Sequence, residues 1–420
     1  MKTKQYCWLA YYILLLLVMV SWQNPDQAPS TTNRIAFLAA SVLPPFVFKK
    51  LKYLPIIIIL FYTINIYGTA LSYFPTYYYY YIPIAIAGLY FASNPKNNLK
   101  IASSSYLLFL LFLLFIVDIA TAFELCDISY CYLFLALLIG YYSPYDNNSV
   151  KLFQYLFVVS SLVLSVEFLT IGRQYSMLLS GTEREAWTDP NYFGCVVGMG
   201  VVQAILLLIG KDKKNVLLII SLMITIIVSV ITLVLNASRG ALLATMVAFS
   251  YYLLTSKGKW YMKFVIIAAG VILGFYMLTN DYFTILEERL SGGDTTGTGR
   301  TVIWQRKLTA FSNDTKLLHW LFGMGNKGGA ILAYGYKRGF HNDFVGFLVS
   351  YGITGLVLFV SSLVKPILKS TIYRKEVIVG ILYLAVCCMT LEPFISGYLP
   401  FFGFYFCCLL MSKINVNSNI

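Results

Sequence analysis

The sequence predicts an all-α polytopic integral membrane protein, and three observations predict it. Hydrophobic residues fill 59% of the 420 positions and charged residues only 12%, a balance that cannot furnish a water-facing surface. The apolar positions gather into long runs of the length a helix needs to cross a bilayer. Fourteen spans of about 18 residues need about 250 positions, close to the whole hydrophobic complement, so little remains for a soluble domain. A nucleic-acid binder, a secreted disulfide scaffold and a cytosolic enzyme all fit poorly, even with Lys+Arg 31 against Asp+Glu 18.

In chain order the expected spans lie near 7–22, 35–48, 54–73, 77–93, 104–122, 127–142, 152–171, 192–210, 215–235, 240–256, 262–279, 343–364, 376–392 and 397–412. That is about 14 helices, within a range of 12–14. The first run follows Lys2 and Lys4, and no small-x-small cleavage site follows its apolar core, so it reads as a retained anchor with a cytoplasmic amino terminus. The second is short and broken by Pro44-Pro45. Tyr77 to Tyr81 open the fourth as an interfacial belt. With this start, the alternate loops assigned to the cytoplasm collect most of the cations, including Lys49, Lys50, Lys211, Lys257, Lys365 and Lys375. Against them stand only Asp146, Asp212 and Glu376. The net charge of +13 is therefore chiefly an orientation signal, and both termini are expected in the cytoplasm.

Two outer segments are long, 172–191 and 280–342, the latter between the eleventh and twelfth helices, and function is sought there. The larger contains the flexible stretch Ser291 to Gly299, then Arg300 to Phe311, where Val302, Trp304 and Leu308 suggest a short amphipathic helix. Four acids fall within or at the edge of spans: Asp118, Glu167, Asp343 and Glu392. Each is expected in the outer layer, which suggests a polar outward-facing cavity, although any one of them taken singly also fits snorkelling at a helix end.

Asn236-Ala-Ser-Arg-Gly240 is too short to be a real loop and must form a tight outer turn. It places Arg239 beside backbone donors at the start of a helix, a setting suited to a diphosphate gripped bidentately, or to an interfacial anchor. Arg173, Arg184, Arg300, Arg306 and Arg338 share that face. Arginine outnumbers lysine there, whereas the cytoplasmic loops hold mostly lysine. Orientation alone does not produce that split, and phosphate recognition does. Of two histidines, His341 precedes Asn342 and Asp343 at a span's start, as a proton acceptor or as a capping residue, while His319 receives no role.

Gly323 to Gly329 lacks the Gly-Lys-Ser/Thr order of a phosphate loop. Cys126 and Cys131 alone lie near an outer loop, where a disulfide is open, and no zinc spacing or outer Asp-x-Asp pair occurs.

The outer pieces resemble those of the O-antigen polymerase and O-antigen ligase superfamily. The matching pieces are Arg184 with Asp189-Pro-Asn-Tyr-Phe193, Ser238-Arg-Gly-Ala-Leu-Leu243, Arg300-x-x-x-Trp304, Leu321-Phe-Gly-Met-Gly325, His341-Asn-Asp-Phe344 and Tyr351-Gly-Ile-Thr-Gly355. Their order and spacing across 172–360 carry the likeness, while 1–150 match only as generic spans. The resemblance implies a GT-C-like glycosyltransferase of the bacterial inner membrane, with no nucleotide sugar, metal or cofactor and with its active site in the periplasmic segment 280–342.

It implies that Arg239, Arg300 and Arg184 bind the lipid diphosphate and that His341 assists acceptor attack, with Asn191, Ser238, Trp304 and Asn342 as substrate contacts. Donor and acceptor would be undecaprenyl-diphosphate-linked oligosaccharides of O-antigen or capsule type, with a chain-length regulator and a flippase as partners and no nucleic acid. The first reading is a repeat-unit polymerase, favoured by the tyrosine-rich amino-terminal half and the fourteen spans. The alternatives are a ligase to lipid A core or protein, and a polysaccharide transporter or flippase. Acids crowded on one side argue against the transporter.

Overall fold

The structure, a computed structural model, describes residues 3–21, 30–48, 147–170, 190–210, 214–236, 238–256, 300–325, 339–395 and 399–413, with isolated positions between. Among these residues the chain forms eleven α-helices and no strand: α1 (Thr3–Ser21), α2 (Thr31–Val47), α3 (Asn147–Thr170), α4 (Pro190–Ile209), α5 (Val216–Leu235), α6 (Arg239–Thr255), α7 (Arg300–Ser312), α8 (Leu317–Phe322), α9 (Asp343–Lys369), α10 (Arg374–Thr390) and α11 (Leu399–Lys413).

Four are long and apolar enough to cross a membrane, within α3, α4, α5 and α9, and shorter apolar helices occupy Tyr6–Val18 and Phe401–Ser412. This is the architecture of a multi-pass membrane protein. The spans expected at 54–73, 77–93, 104–122, 127–142 and 262–279 lie outside the described residues but for isolated positions. So do Arg184, Asp118, Cys126 and Cys131.

One expectation is corrected at α2, which is continuous through Pro44 and Pro45. A proline at 44 cannot donate to the carbonyl of Ala40 four residues back. The Tyr11 hydroxyl of α1 donates to that carbonyl instead, at 2.7 Å, so the missing bond is replaced across the helix pair and the helix persists.

The bundle is organised around α4. Its apolar window is 94% buried, whereas that of α5 is 28% buried, which makes α4 the central post and α5 a peripheral helix with an outward apolar face. Small residues permit this. Gly200 packs on Ser161 and the Phe157 carbonyl of α3, and Gly198 meets the Tyr383 ring of α10 and Thr245 of α6. Gly194 faces Ser238 and Asn236 in the turn between α5 and α6. Buried hydroxyls join the helices where lipid offers no partner: Ser161 donates to the Val197 carbonyl at 2.8 Å and pairs with Ser229 at 3.1 Å.

These contacts also fix which helix ends lie together. The start of α4, the α5–α6 turn, the start of α9 and the end of α10 converge, since Gly240 abuts Thr390 and the Asp343 amide donates to the Leu391 carbonyl at 3.1 Å. At the opposite end, the ammonium of Lys375 donates to the Thr255 carbonyl where α6 finishes.

α9 is broken at Gly352, whose φ of 66° is left-handed. The break frees carbonyls that the helix would otherwise engage, and the amides of Met324 and Gly325 donate to Val349 and Ser350 at 3.4 and 2.8 Å. Gly323, also left-handed at φ 79°, lies against the Ser350–Tyr351 backbone, and Gly352 against Leu321 and Phe322. The Leu321–Gly325 and Tyr351–Gly355 pieces of the sequence thus form one backbone-to-backbone joint.

Candidate functional site

At the converging end, residues 339–343 and 390–395 hold one another. The carboxylate of Asp343 accepts from the amides of Phe394 at 3.1 Å and Ile395 at 3.0 Å. In return, Glu392 Oε2 accepts from the amides of Phe340 and His341, the latter at 3.1 Å. A Cβ at 339 would collide with the Glu392 carboxylate, so the close approach requires Gly339. Asn342 caps α9 by accepting from Val345 N at 3.1 Å. His341 is half-buried and adopts φ 50°, a left-handed conformation uncommon for a residue with a Cβ. Four neighbouring interactions therefore over-determine a strained turn at the histidine.

The fourth support comes from α7, whose indole Trp304 Nε1 donates to the Phe340 carbonyl at 2.8 Å. One turn earlier, Arg300 Nη1 donates to the Thr390 carbonyl at 2.8 Å. That carbonyl closes α10, where helix carbonyls lack partners and the dipole is negative, so a guanidinium is well placed.

The face of α7 differs from the one expected. Val302 and Leu308 are exposed, and the buried stripe is Ile303, Lys307 and Phe311 at four-residue spacing. Hydrophobicity alone pointed to the wrong stripe because its middle member is charged. Lys307 is fully enclosed, with its ammonium 3.5 Å from the Phe340 ring centroid. Burial lowers its pKa to about 8, and the Glu392 carboxylate pulls in the opposite direction.

On the α6 side, Ser238 is buried, and its hydroxyl has no hydrogen-bond partner among the described residues. Arg239 follows as the first residue of α6, half-buried. Asn191 lies in the first turn of α4, and Glu167 is buried near the end of α3, where the Phe168 and Phe193 rings pack 5.4 Å apart. Thr390 joins two elements of the site: Gly240, which follows Arg239 in α6, packs on the Thr390 side chain, and Arg300 holds the Thr390 carbonyl.

Of the twelve residues singled out from sequence, the structure brings Arg300, Trp304, His341, Asn342, Asp343 and Glu392 into one bonded cluster, and Gly240, which follows Ser238 and Arg239, packs on Thr390 beside it. The expectation that Asp343 lines an open cavity is corrected: it is fully buried and both its oxygens are engaged by backbone amides, because it replaces the backbone bonds missing from the 394–395 turn. Glu392 is likewise nearly enclosed.

Lys307 and Gly339 were missed. The four-residue spacing of Ile303 and Phe311 around Lys307 is the signal that points to it. His319 pairs with Asp314 at 2.6 Å, and this bond holds the Asp314 carboxyl below its ordinary value. No group of three or more metal-ligating side chains occurs among the described residues.

Chemically, the cluster offers an imidazole on a rigid turn and two guanidinium-bearing residues at adjoining helix ends, a setting able to accept a proton and to hold an oxyanion.

No curated protein matches the chain. A family model described as O-antigen ligase matches residues 224–360, from the middle of α5 through the broken half of α9, and so takes in Arg239, Arg300, Trp304, His341 and both sides of the Gly323–Gly352 joint. Residues 224–360 are similar to that family, which supports a place for this membrane protein in the O-antigen polymerase and ligase superfamily.

Proposed function

We propose that this protein is a repeat-unit polymerase, a membrane glycosyltransferase that moves a growing glycan from undecaprenyl diphosphate to the next lipid-linked repeat on the periplasmic side. The observation that carries the reading is that the segment ending α10 joins the start of α7 and the histidine turn: Arg300 and Gly240, the residue after Arg239, meet Thr390, and Glu392 holds the His341 turn.

In the proposed step, an acceptor hydroxyl attacks the anomeric carbon of the donor and the carbon–oxygen bond to the diphosphate breaks. His341 takes the hydroxyl proton, and the diphosphate leaves with the bonding electrons. Negative charge grows on the leaving group as the bond breaks, so preorganised guanidiniums of Arg239 and Arg300 favour the transition state over the ground state.

The family description favours a second reading, an O-antigen ligase that transfers finished glycan to a lipid A core or to protein. The two differ only in acceptor. Purified protein in liposomes, given carrier-linked repeats without an energy source, elongates them if it is a polymerase. If it is a ligase, it transfers glycan only when the core acceptor is added. Failure of both additions overturns the transferase reading and returns the transporter to consideration.

A further inference from the structure

The contacts around the His341 turn are more numerous than a loop needs in order to stay folded, and they have a common object. Glu392 takes the two consecutive amides of Phe340 and His341 on a single oxygen, Trp304 takes the Phe340 carbonyl, and the Lys307 ammonium covers the Phe340 ring. Phe340 is thereby fixed at its amide, its carbonyl and its ring, and it immediately precedes the one left-handed non-glycine residue among those described. A carboxylate this enclosed is costly without a counter-charge, and so is an enclosed ammonium. Glu392 and Lys307 bracket Phe340, the carboxylate at its amide and the ammonium over its ring, and the carboxylate favours the charged form of the lysine.

We infer that Glu392 and Lys307 form a charge-balanced clasp that positions the His341 imidazole for proton transfer. The inference deepens the proposed function, since it rests on His341 as the proton acceptor there. Neither residue touches substrate; both act through the backbone geometry of His341. Glu392 supplies the acceptor that stabilises φ 50°, and Lys307 supplies the opposite charge over the Phe340 ring. Gly339 is the steric condition for the clasp, since any side chain there would displace the Glu392 carboxylate.

The clasp has a signature that a purely structural contact lacks. Glu392→Gln keeps an oxygen able to accept both amides and removes the charge, Lys307→Met removes the opposite charge while still filling the space, and the double variant is neutral again. If charge balance matters, the two losses are non-additive and the double variant recovers relative to Lys307→Met alone. Glu392→Ala removes acceptor and charge together. A misplaced proton acceptor costs on the order of a hundredfold in turnover, with KM little changed.

The experiment uses the full chain in liposomes with two readouts. The first is glycan transfer, resolved into kcat and KM. The second needs no turnover: the rate at which diethyl pyrocarbonate modifies His341, read by mass spectrometry, with His319 as the internal control since the chain has only two histidines. The clasp predicts that Glu392→Ala alters the His341 rate severalfold and leaves His319 unchanged, that kcat falls while KM holds, and that the double variant outperforms Lys307→Met. A His341 rate unmoved by Glu392→Ala overturns the clasp. So does a double variant whose loss is the sum of the two, and this second test stands if the alanine variant fails to fold. If wild-type protein transfers no glycan, the modification rates still decide the clasp, and the functional reading alone fails.

Discussion

Arg239, as the first residue of α6, carries the sharpest single-residue expectation. A guanidinium at a helix start can grip two oxygens of a diphosphate, a task a lysine's point charge cannot reproduce. Arg239→Ala should lower glycan transfer by on the order of 10²–10³-fold at normal membrane abundance, and Arg239→Lys should recover little of it. Full-length chains from the alanine variant, seen on a gel of surface glycan, would remove this arginine from the mechanism.

Lys307 carries a different expectation. Its pKa lies near 8 in the folded protein against an ordinary 10.5, so between those values the unfolded chain binds the extra proton. Stability contributed by this group therefore rises with pH from about 8 to about 10.5 and is flat below. The thermal midpoint of wild type relative to Lys307→Met should climb across that window, and a constant difference would show that Lys307 is not buried as a cation. The arginine and the histidine are legible in sequence because they are rare residue types at turns between apolar runs. Lys307 is not, because a lysine on an amphipathic helix reads as a solvent-facing residue until its enclosure by Phe340 is known.

The described helices of the carboxyl-terminal half lie within about five residues of the expected spans, since an apolar run bounded by charges has few alternatives within a bilayer. The break inside α9 was not, because the run from 343 is uniformly apolar and a glycine within it reads as a packing residue. What breaks the helix is the arrival of Gly323 to Gly325 from a distant part of the chain, whose amides compete for the carbonyls of Val349 and Ser350.

This makes Gly352 doubly constrained. Gly352→Ala forces a Cβ into the backbone of Leu321 and Phe322 and also forces φ 66° on a residue that disfavours it. The backbone conformation alone costs about 1–3 kcal/mol, and the collision adds to it. The expected outcome is a lower thermal midpoint and faster proteolysis between α8 and α9. Gly323→Ala should do the same, and the two together should cost less than their sum because they spoil one joint. Independent, additive effects would mean that the two glycines do not share a contact.

At the scale of the molecule, the helix ends separate two kinds of charge. Arg239, Arg300 and Arg306 lie at the end holding His341, together with the enclosed Lys307 and with Lys316. Lys151, Lys214, Lys369, Arg374 and Lys375 lie at the other, near the start of α3 and the ends of α4, α6 and α9. If the positive-inside rule governs this bundle, the lysine-rich end is cytoplasmic and the His341 end faces outward. The proposed chemistry depends on that, because the lipid-linked glycan it consumes is presented on the outer side.

Two exposed positions report the orientation: Asn313, just beyond α7, and Thr371, between α9 and α10. The test uses a background in which Cys7, Cys126 and Cys131 are replaced by serine; Cys195, Cys387, Cys388, Cys407 and Cys408 are buried. There, Asn313→Cys should react with a membrane-impermeant maleimide in intact cells, and Thr371→Cys only after the membrane is permeabilised. The reverse pattern would leave the clasp and the bundle intact as structure, yet it would place the arginines on the face where no exported glycan is available, and the transferase reading would fall.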